Sequence, residues 1–261
     1  ALVPQISEEV RGKLLEGAIT ILDRLEDYVE ELAVEQVFDR LNQWIHADPV
    51  GDAIASSDWK KDHLSELLPE EYLKLCSDEE LASSVFDPAF DITSIRDQRW
   101  LAEIAKTAKG ESLDDIDIAV ALFGWTIQHL AIGSDPPLLA TARSKGVRWF
   151  DRGEILLSGR GSAAQRSWIF LELLRQAGLK GVMLGTVDRD SSIRPWIPAV
   201  LIGGEAYLFE PTYGMPVPSR RGSGVATVRE AASDATVLSQ LDDTSRRYPV
   251  GANDMKSLVV L

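Results

Sequence analysis

The sequence predicts an α+β protein: a helical amino-terminal lobe, followed by a core in which a central helix packs on an antiparallel sheet. Three observations predict it. Apolar residues recur three and four apart through the first half of the chain and again up to about Ala177, the spacing of one helix face. From Val182 the pattern changes to every second residue, the period of strands. Between the last two strand-like runs stands Gly203-Gly204, a pair that suits a two-residue hairpin turn because both central residues take positive φ. Helices first and hairpin-linked strands afterwards is α+β order.

Ser7, followed by Glu8 and Glu9, is a helix start: a hydroxyl to cap free amides and acids to suit the positive end of the dipole. A long helix is expected to follow, with Leu15, Ala18, Leu22, Leu25, Val29 and Leu32 as a seam, before the stripe shifts to Val34, Val37, Phe38, Leu41, Trp44 and Ile45. Such a seam suits either a dimer arm or helices packed on their own body. From Asp48 to Gly110 the chain reads as short helical patches separated at Pro49, Pro69 and Pro88, so residues 1–110 form the helical lobe and 111–261 the α+β core. Ser112 with Asp115 resembles a capping box for a helix whose face carries Ile116, Ala119, Val120, Phe123, Ile127 and Leu130. A basic stretch with Trp149 and Phe150 leads to Gly159-Arg160-Gly161-Ser162. Ser162 and Gln165 then form a second capping box on a helix from about Ala163 to Ala177, closed by Gly178. Strands are expected at 182–187, 197–202 and 206–209. On the central helix Ile169, Phe170, Leu173 and Leu174 should be buried, with Trp168 and Leu171 pointing elsewhere.

Composition narrows the function. With 41 acidic against 27 basic residues in 261, the net charge of -14 repels phosphate backbones, so nucleic acid is not expected as a partner. The one cysteine, Cys76, and the histidines His46, His63 and His129 have no zinc-ligand spacing. Glu66, Glu70, Glu71, Asp78, Glu79 and Glu80 lack the spacing of a calcium loop and read as a solvated face. No metal is expected. Nor is any cofactor, since Gly159-Arg160-Gly161-Ser162 has no lysine after its second glycine and no P-loop strand before it. No apolar run approaches the roughly 20 residues of a membrane span, so the chain as given reads as soluble. The start at Ala1 and the strand-like end at Ser257 to Leu261 leave export with a signal removed, and anchoring, both open.

Three local patterns then share one order and spacing. The first is Phe123-Gly124-Trp125-Thr126-Ile127-Gln128-His129-Leu130. The second runs from Gly161-Ser162-Ala163-Ala164-Gln165-Arg166-Ser167-Trp168 into Leu173-Leu174-Arg175-Gln176-Ala177-Gly178-Leu179. The third is Trp196, then Tyr207-Leu208-Phe209-Glu210-Pro211-Thr212. Together, over residues 116–218, they resemble the transglutaminase-like superfamily of papain-related fold. They match in turn its amide-bearing helix, its central catalytic helix, and its histidine strand with the Asp-Pro-Thr corner that follows.

That resemblance implies a thiolate at the start of the central helix, an imidazole on a neighbouring strand and a carboxylate to orient it. The matched positions hold Ala163, Arg194 and Glu210 instead. An alanine methyl cannot attack a carbonyl, and a guanidinium does not give up its proton near neutral pH. The implied protein is a non-catalytic module, a pseudoenzyme binding a peptide, protein, wall-type ligand or small anion. Arg160, Ser162, Arg166 and Trp196 are its candidate ligand residues, the arginines favouring an anion beside the helix amides. Two further readings stay open. One is an enzyme of unfamiliar mechanism in the same cleft, a hydrolase or acyl transferase, with Ser162 as a hydroxyl nucleophile. The other is a scaffold dimerising through the amino-terminal helix. If Arg194 and Glu210 face one cleft from adjacent strands, they are expected to form an ion pair.

Overall fold

The first helices reverse direction where the sequence carries no glycine or proline to announce it. The computed structural model describes residues 8–47, 74, 77, 83, 85–133, 151–187, 192–220, 222, 224–244 and 247–261. They fall in two compact units, Ala1–Ile95 and Arg96–Leu261. In the first, α1 (Glu8–Asp23) and α2 (Glu30–His46) are separated by a 3-10 turn over Leu25–Asp27 and the extended residues Tyr28 and Val29. The expected continuous helix is therefore a hairpin. Ala18, Ile21, Ala33, Val37, Phe38 and Leu41 form its core, while Leu25, Val29 and Leu32 from the expected seam are exposed. The chain breaks because the two halves bury more apolar surface against each other than a straight seam would bury alone. Asn42 fastens residue 86 to the hairpin, its amide oxygen accepting from Phe86 N at 2.7 Å and its nitrogen donating to Phe86 O at 3.0 Å.

Asp87-Pro88 opens α3 (Pro88–Lys109), with the Asp87 carboxylate accepting from Ala89 N at 2.8 Å and proline at the first helical position. The acidic residues singled out between 66 and 80, Pro49, His63, Pro69, Cys76, the Ser7 cap and the Trp149-Phe150 segment lie outside the described residues. Helix α4 (Asp115–His129) is capped by Asp114, which accepts from the amides of Ile116 and Asp117, and not by Ser112. Asp114 wins because it directly precedes the first helical residue, where its oxygen reaches the free amides.

Helix α5 (Arg152–Ser158) is positioned by a buried acid: Asp97 of α3 accepts from Gly153 N at 3.0 Å and from the Arg96 guanidinium at 2.9 Å. A side chain at Gly153 would put Cβ 2.6 Å from an Asp97 oxygen, so this contact requires glycine. The short strands β1 (Ala131–Ile132) and β2 (Arg160–Gly161) pair in parallel ahead of the central helix α6 (Ala163–Gln176).

The sheet of the second unit runs β6 (Met215–Pro216), β5 (Glu205–Glu210), β4 (Ile193–Ile202), β3 (Lys180–Val187), β7 (Leu258–Val260), antiparallel throughout. The fold is mixed α+β, as the sequence predicts. Gly203 and Gly204, at φ +59° and +82°, make the β4–β5 turn. On one face α4 and α6 cover the sheet, with Ile169, Phe170, Leu173 and Leu174 fully buried and the rings of Phe123, Phe170 and Phe209 meeting at 5.0 to 5.1 Å between centroids. Trp168 points away from this core, as expected, and is exposed, whereas Leu171, expected to do the same, is half-buried and packs against it. The other face packs on α7 (Val228–Ser233) and α8 (Ala235–Ser239) through Leu184, Ile197, Ala199, Leu208, Val237 and Leu238. In β4 a bulge sets two residues, Trp196 and Ile197, against one of β3, Leu184, between the pairs Met183–Pro198 and Gly185–Pro195. Trp196 and Ile197 of that bulge both pack toward the α7–α8 side.

Candidate functional site

At the start of α6 the capping box closes fully: Ser162 Oγ accepts from Gln165 N at 3.2 Å, and Gln165 Oε1 accepts from Ser162 N at 2.9 Å. The Ser162 side chain is buried and used as a cap. Ala163, half-buried, is the first helical residue, and its carbonyl accepts from Ser167 Oγ at 2.8 Å. Arg160 is exposed on β2.

Arg166, one turn into the helix, is buried and points inward. Its Nε and one terminal nitrogen donate to Leu130 O at 2.8 and 2.5 Å, and the other terminal nitrogen donates to Pro211 O at 2.8 Å. Leu130 is the C-cap of α4, so the guanidinium meets the negative end of that helix dipole. One side chain thus ties α6, the end of α4 and the Glu210-Pro211-Thr212 corner together. Burial lowers its pKa from the ordinary guanidinium value.

Glu210 ends β5 and is 3% exposed. One carboxylate oxygen accepts from Thr212 N at 2.7 Å, which fixes the corner; the other accepts from Tyr248 Oη. Tyr248 Oη in turn accepts from Trp196 Nε1 at 2.8 Å. Burial first, and then the Glu210 charge and hydrogen bond, push the Tyr248 pKa far above the ordinary tyrosine value. The phenol stays protonated and acts as a donor to the carboxylate, not as a base.

The expected Arg194–Glu210 ion pair is not formed. Arg194 is exposed and stands opposite Thr186 on β3. The β4–β5 register pairs Ala199 with Leu208, and continuing it two residues sets Glu210 against Ile197, three positions from Arg194. The bulge at Trp196 and Ile197 shifts the strand further, and Glu210 takes its donor from a segment 38 residues downstream. Of the residues marked in the sequence, the structure joins Trp196 to Glu210 through Tyr248, and Arg166 to the same corner through Pro211. It joins neither Arg160 nor Arg194 to that corner. Tyr248 was missed because nothing periodic or motif-like surrounds it.

Among the described residues no three of His, Cys, Asp and Glu are grouped to hold a metal ion. No described helix is long and apolar enough to cross a membrane. No protein-family model matches the chain, and no curated protein does. A solved structure described as a candidate cysteine protease from Cytophaga hutchinsonii is similar at 15% identity and a TM-score of 0.34, over 63% of this chain and 58% of that one. The chain spans less than two thirds of that structure. At this distance the likeness carries no chemistry.

Proposed function

We propose that residues 111–261 are a non-catalytic transglutaminase-like module that binds a peptide or protein segment. The observation that carries this reading is the state of Glu210: its two oxygens are taken by a protonated phenol and a backbone amide, with no imidazole among the described residues between it and the helix start. A nucleophile, base and orienter set needs all three parts in one line. Here Ala163 supplies no nucleophile, Ser162 is spent as a cap, and Tyr248 holds its proton.

The same geometry favours a peptide over a small anion. Arg166, the strongest candidate for an anion, donates all its observed bonds to backbone carbonyls. Two residues beyond each of those carbonyls stand exposed apolar or aromatic side chains, Ile132 after Leu130 and Tyr213 after Pro211, with Met215 beyond. Rigid aromatic and aliphatic side chains of this kind anchor peptides.

Binding is tested by selecting from a random peptide library on the immobilised full chain. The expected result is a consensus whose affinity falls at least about tenfold in Ile132→Asp/Tyr213→Ser, in line with loss of an anchor residue. A consensus that binds the double variant unchanged would overturn the assignment of this surface.

A further inference from the structure

The Tyr248 oxygen sits between a group that can only donate, the Trp196 indole N–H, and a group that as an anion can only accept, the Glu210 carboxylate. We propose that this pair is a recognition slot for one aromatic hydroxyl, which the chain fills with its own Tyr248 and which a peptide tyrosine enters when Tyr248 leaves. The chemistry selects the class. A carbonyl cannot donate to the carboxylate, and an ammonium cannot accept from the indole. A hydroxyl does both, and its ring is met by Tyr213 at 5.9 Å between centroids.

The slot has a buried floor and an open mouth. Glu210 is the floor, whereas Tyr248 is only half-buried and its neighbours Arg247 and Pro249 are exposed. Apart from its ring, Tyr248 is tied by its amide, which donates to Asp242 Oδ1 at 2.7 Å, and by buried Val250 two residues on. An exposed aspartate is a weak tie; the larger one is the Tyr248 ring, packed partly buried against the cluster that holds Ile197 and Val250, and this is the contact that an incoming tyrosine ring would replace. This inference uses the same corner as the proposed binding module but does not depend on the absence of catalysis.

The test uses the full chain carrying Tyr248→Ala, with N-acetyl-tyrosinamide and N-acetyl-phenylalaninamide as probes, followed by tryptophan fluorescence. The expected result is that the tyrosine probe binds at least about tenfold more tightly than the phenylalanine probe, because a site built for a hydroxyl is left with unpaired polar groups by an analogue lacking it. Wild type should bind the tyrosine probe at least about tenfold more weakly than the variant, its slot being occupied. Adding Trp196→Phe, which removes the donor and leaves the Glu210 acceptor, should reduce the preference. Equal affinity for the two probes, a preference undiminished by Trp196→Phe, or equal binding by wild type would each overturn the proposal. Should Tyr248→Ala not fold, Asp242→Asn keeps the tyrosine and loosens its tie. The tyrosine probe should then raise hydrogen exchange at residues 247–251 and the phenylalanine probe should not; no change with either probe overturns the slot. Turnover of an amide substrate would count against the non-catalytic reading alone and leave the probe preference as it stands.

Discussion

At Glu210 a carboxylate almost fully withdrawn from water has no ion pair among the described residues; a phenol, an amide and, through the phenol, an indole solvate it. Burying an anion is costly unless hydrogen bonds replace its water, so each of these donors should matter. Tyr248→Phe removes the phenol, strands one carboxylate oxygen and leaves the Trp196 N–H unpaired. A loss of about 1 to 3 kcal/mol by urea denaturation is expected. A change near zero would mean that water replaces the hydroxyl without cost. The same residue sets an alkaline limit. The fold raises the Tyr248 pKa, so its stabilisation is complete below the ordinary tyrosine value of about 10 and is lost as pH rises above it. Wild-type stability should fall above about pH 10 more steeply than that of Tyr248→Phe, as read from denaturation midpoints across that range. Thr186 gives the opposite case. Its hydroxyl is buried with no hydrogen-bond partner among the described residues, so Thr186→Val should leave stability unchanged or raise it, where most buried substitutions lower it.

Helix α6 was legible because its signals are local: Ser162 and Gln165 three apart at one end, Gly178 at the other, and a 3.6-residue apolar stripe between. The stripe is the buried face, and Leu173→Ala should cost about 2 to 5 kcal/mol by leaving a cavity against the sheet. Its polar face was less legible. Arginine usually seeks carboxylate or phosphate, whereas Arg166 donates to the carbonyl that ends α4 and to Pro211 O. Arg166→Met keeps the length and removes three charge-assisted bonds. It should destabilise by more than the roughly 1.5 to 3 kcal/mol of a single such bond, with increased hydrogen exchange at both the α4 end and residues 211–214. Increased exchange at only one of the two would contradict the clamp. The α1–α2 hairpin was not legible for the reason opposite to α6. The turn at residues 24–29 contains neither glycine nor proline, and the apolar spacing runs on across it, so only the packing of Ala18 and Ile21 on Ala33 and Val37 decides the break.

At the scale of the whole chain, the order of elements followed from the sequence, since helix and strand periods differ and Gly203-Gly204 fixes one hairpin. The site followed only in part. Ala163 and Glu210 can be counted from neighbouring motifs, but the bulge in β4 makes counting to Arg194 unreliable as a guide to what faces Glu210, and the contact that Tyr248 makes spans 38 residues. Cysteine catalysis of the kind the resemblance implies needs a thiolate, and Cys76, the one cysteine, precedes all the motifs that carry that resemblance. The most direct measurement is therefore turnover of purified wild-type chain and Cys76→Ser on a glutamine-containing peptide with an amine acceptor, following ammonia release, transamidated product and peptide cleavage. No turnover by either protein is expected. Turnover by wild type that Cys76→Ser abolishes would contradict the non-catalytic reading.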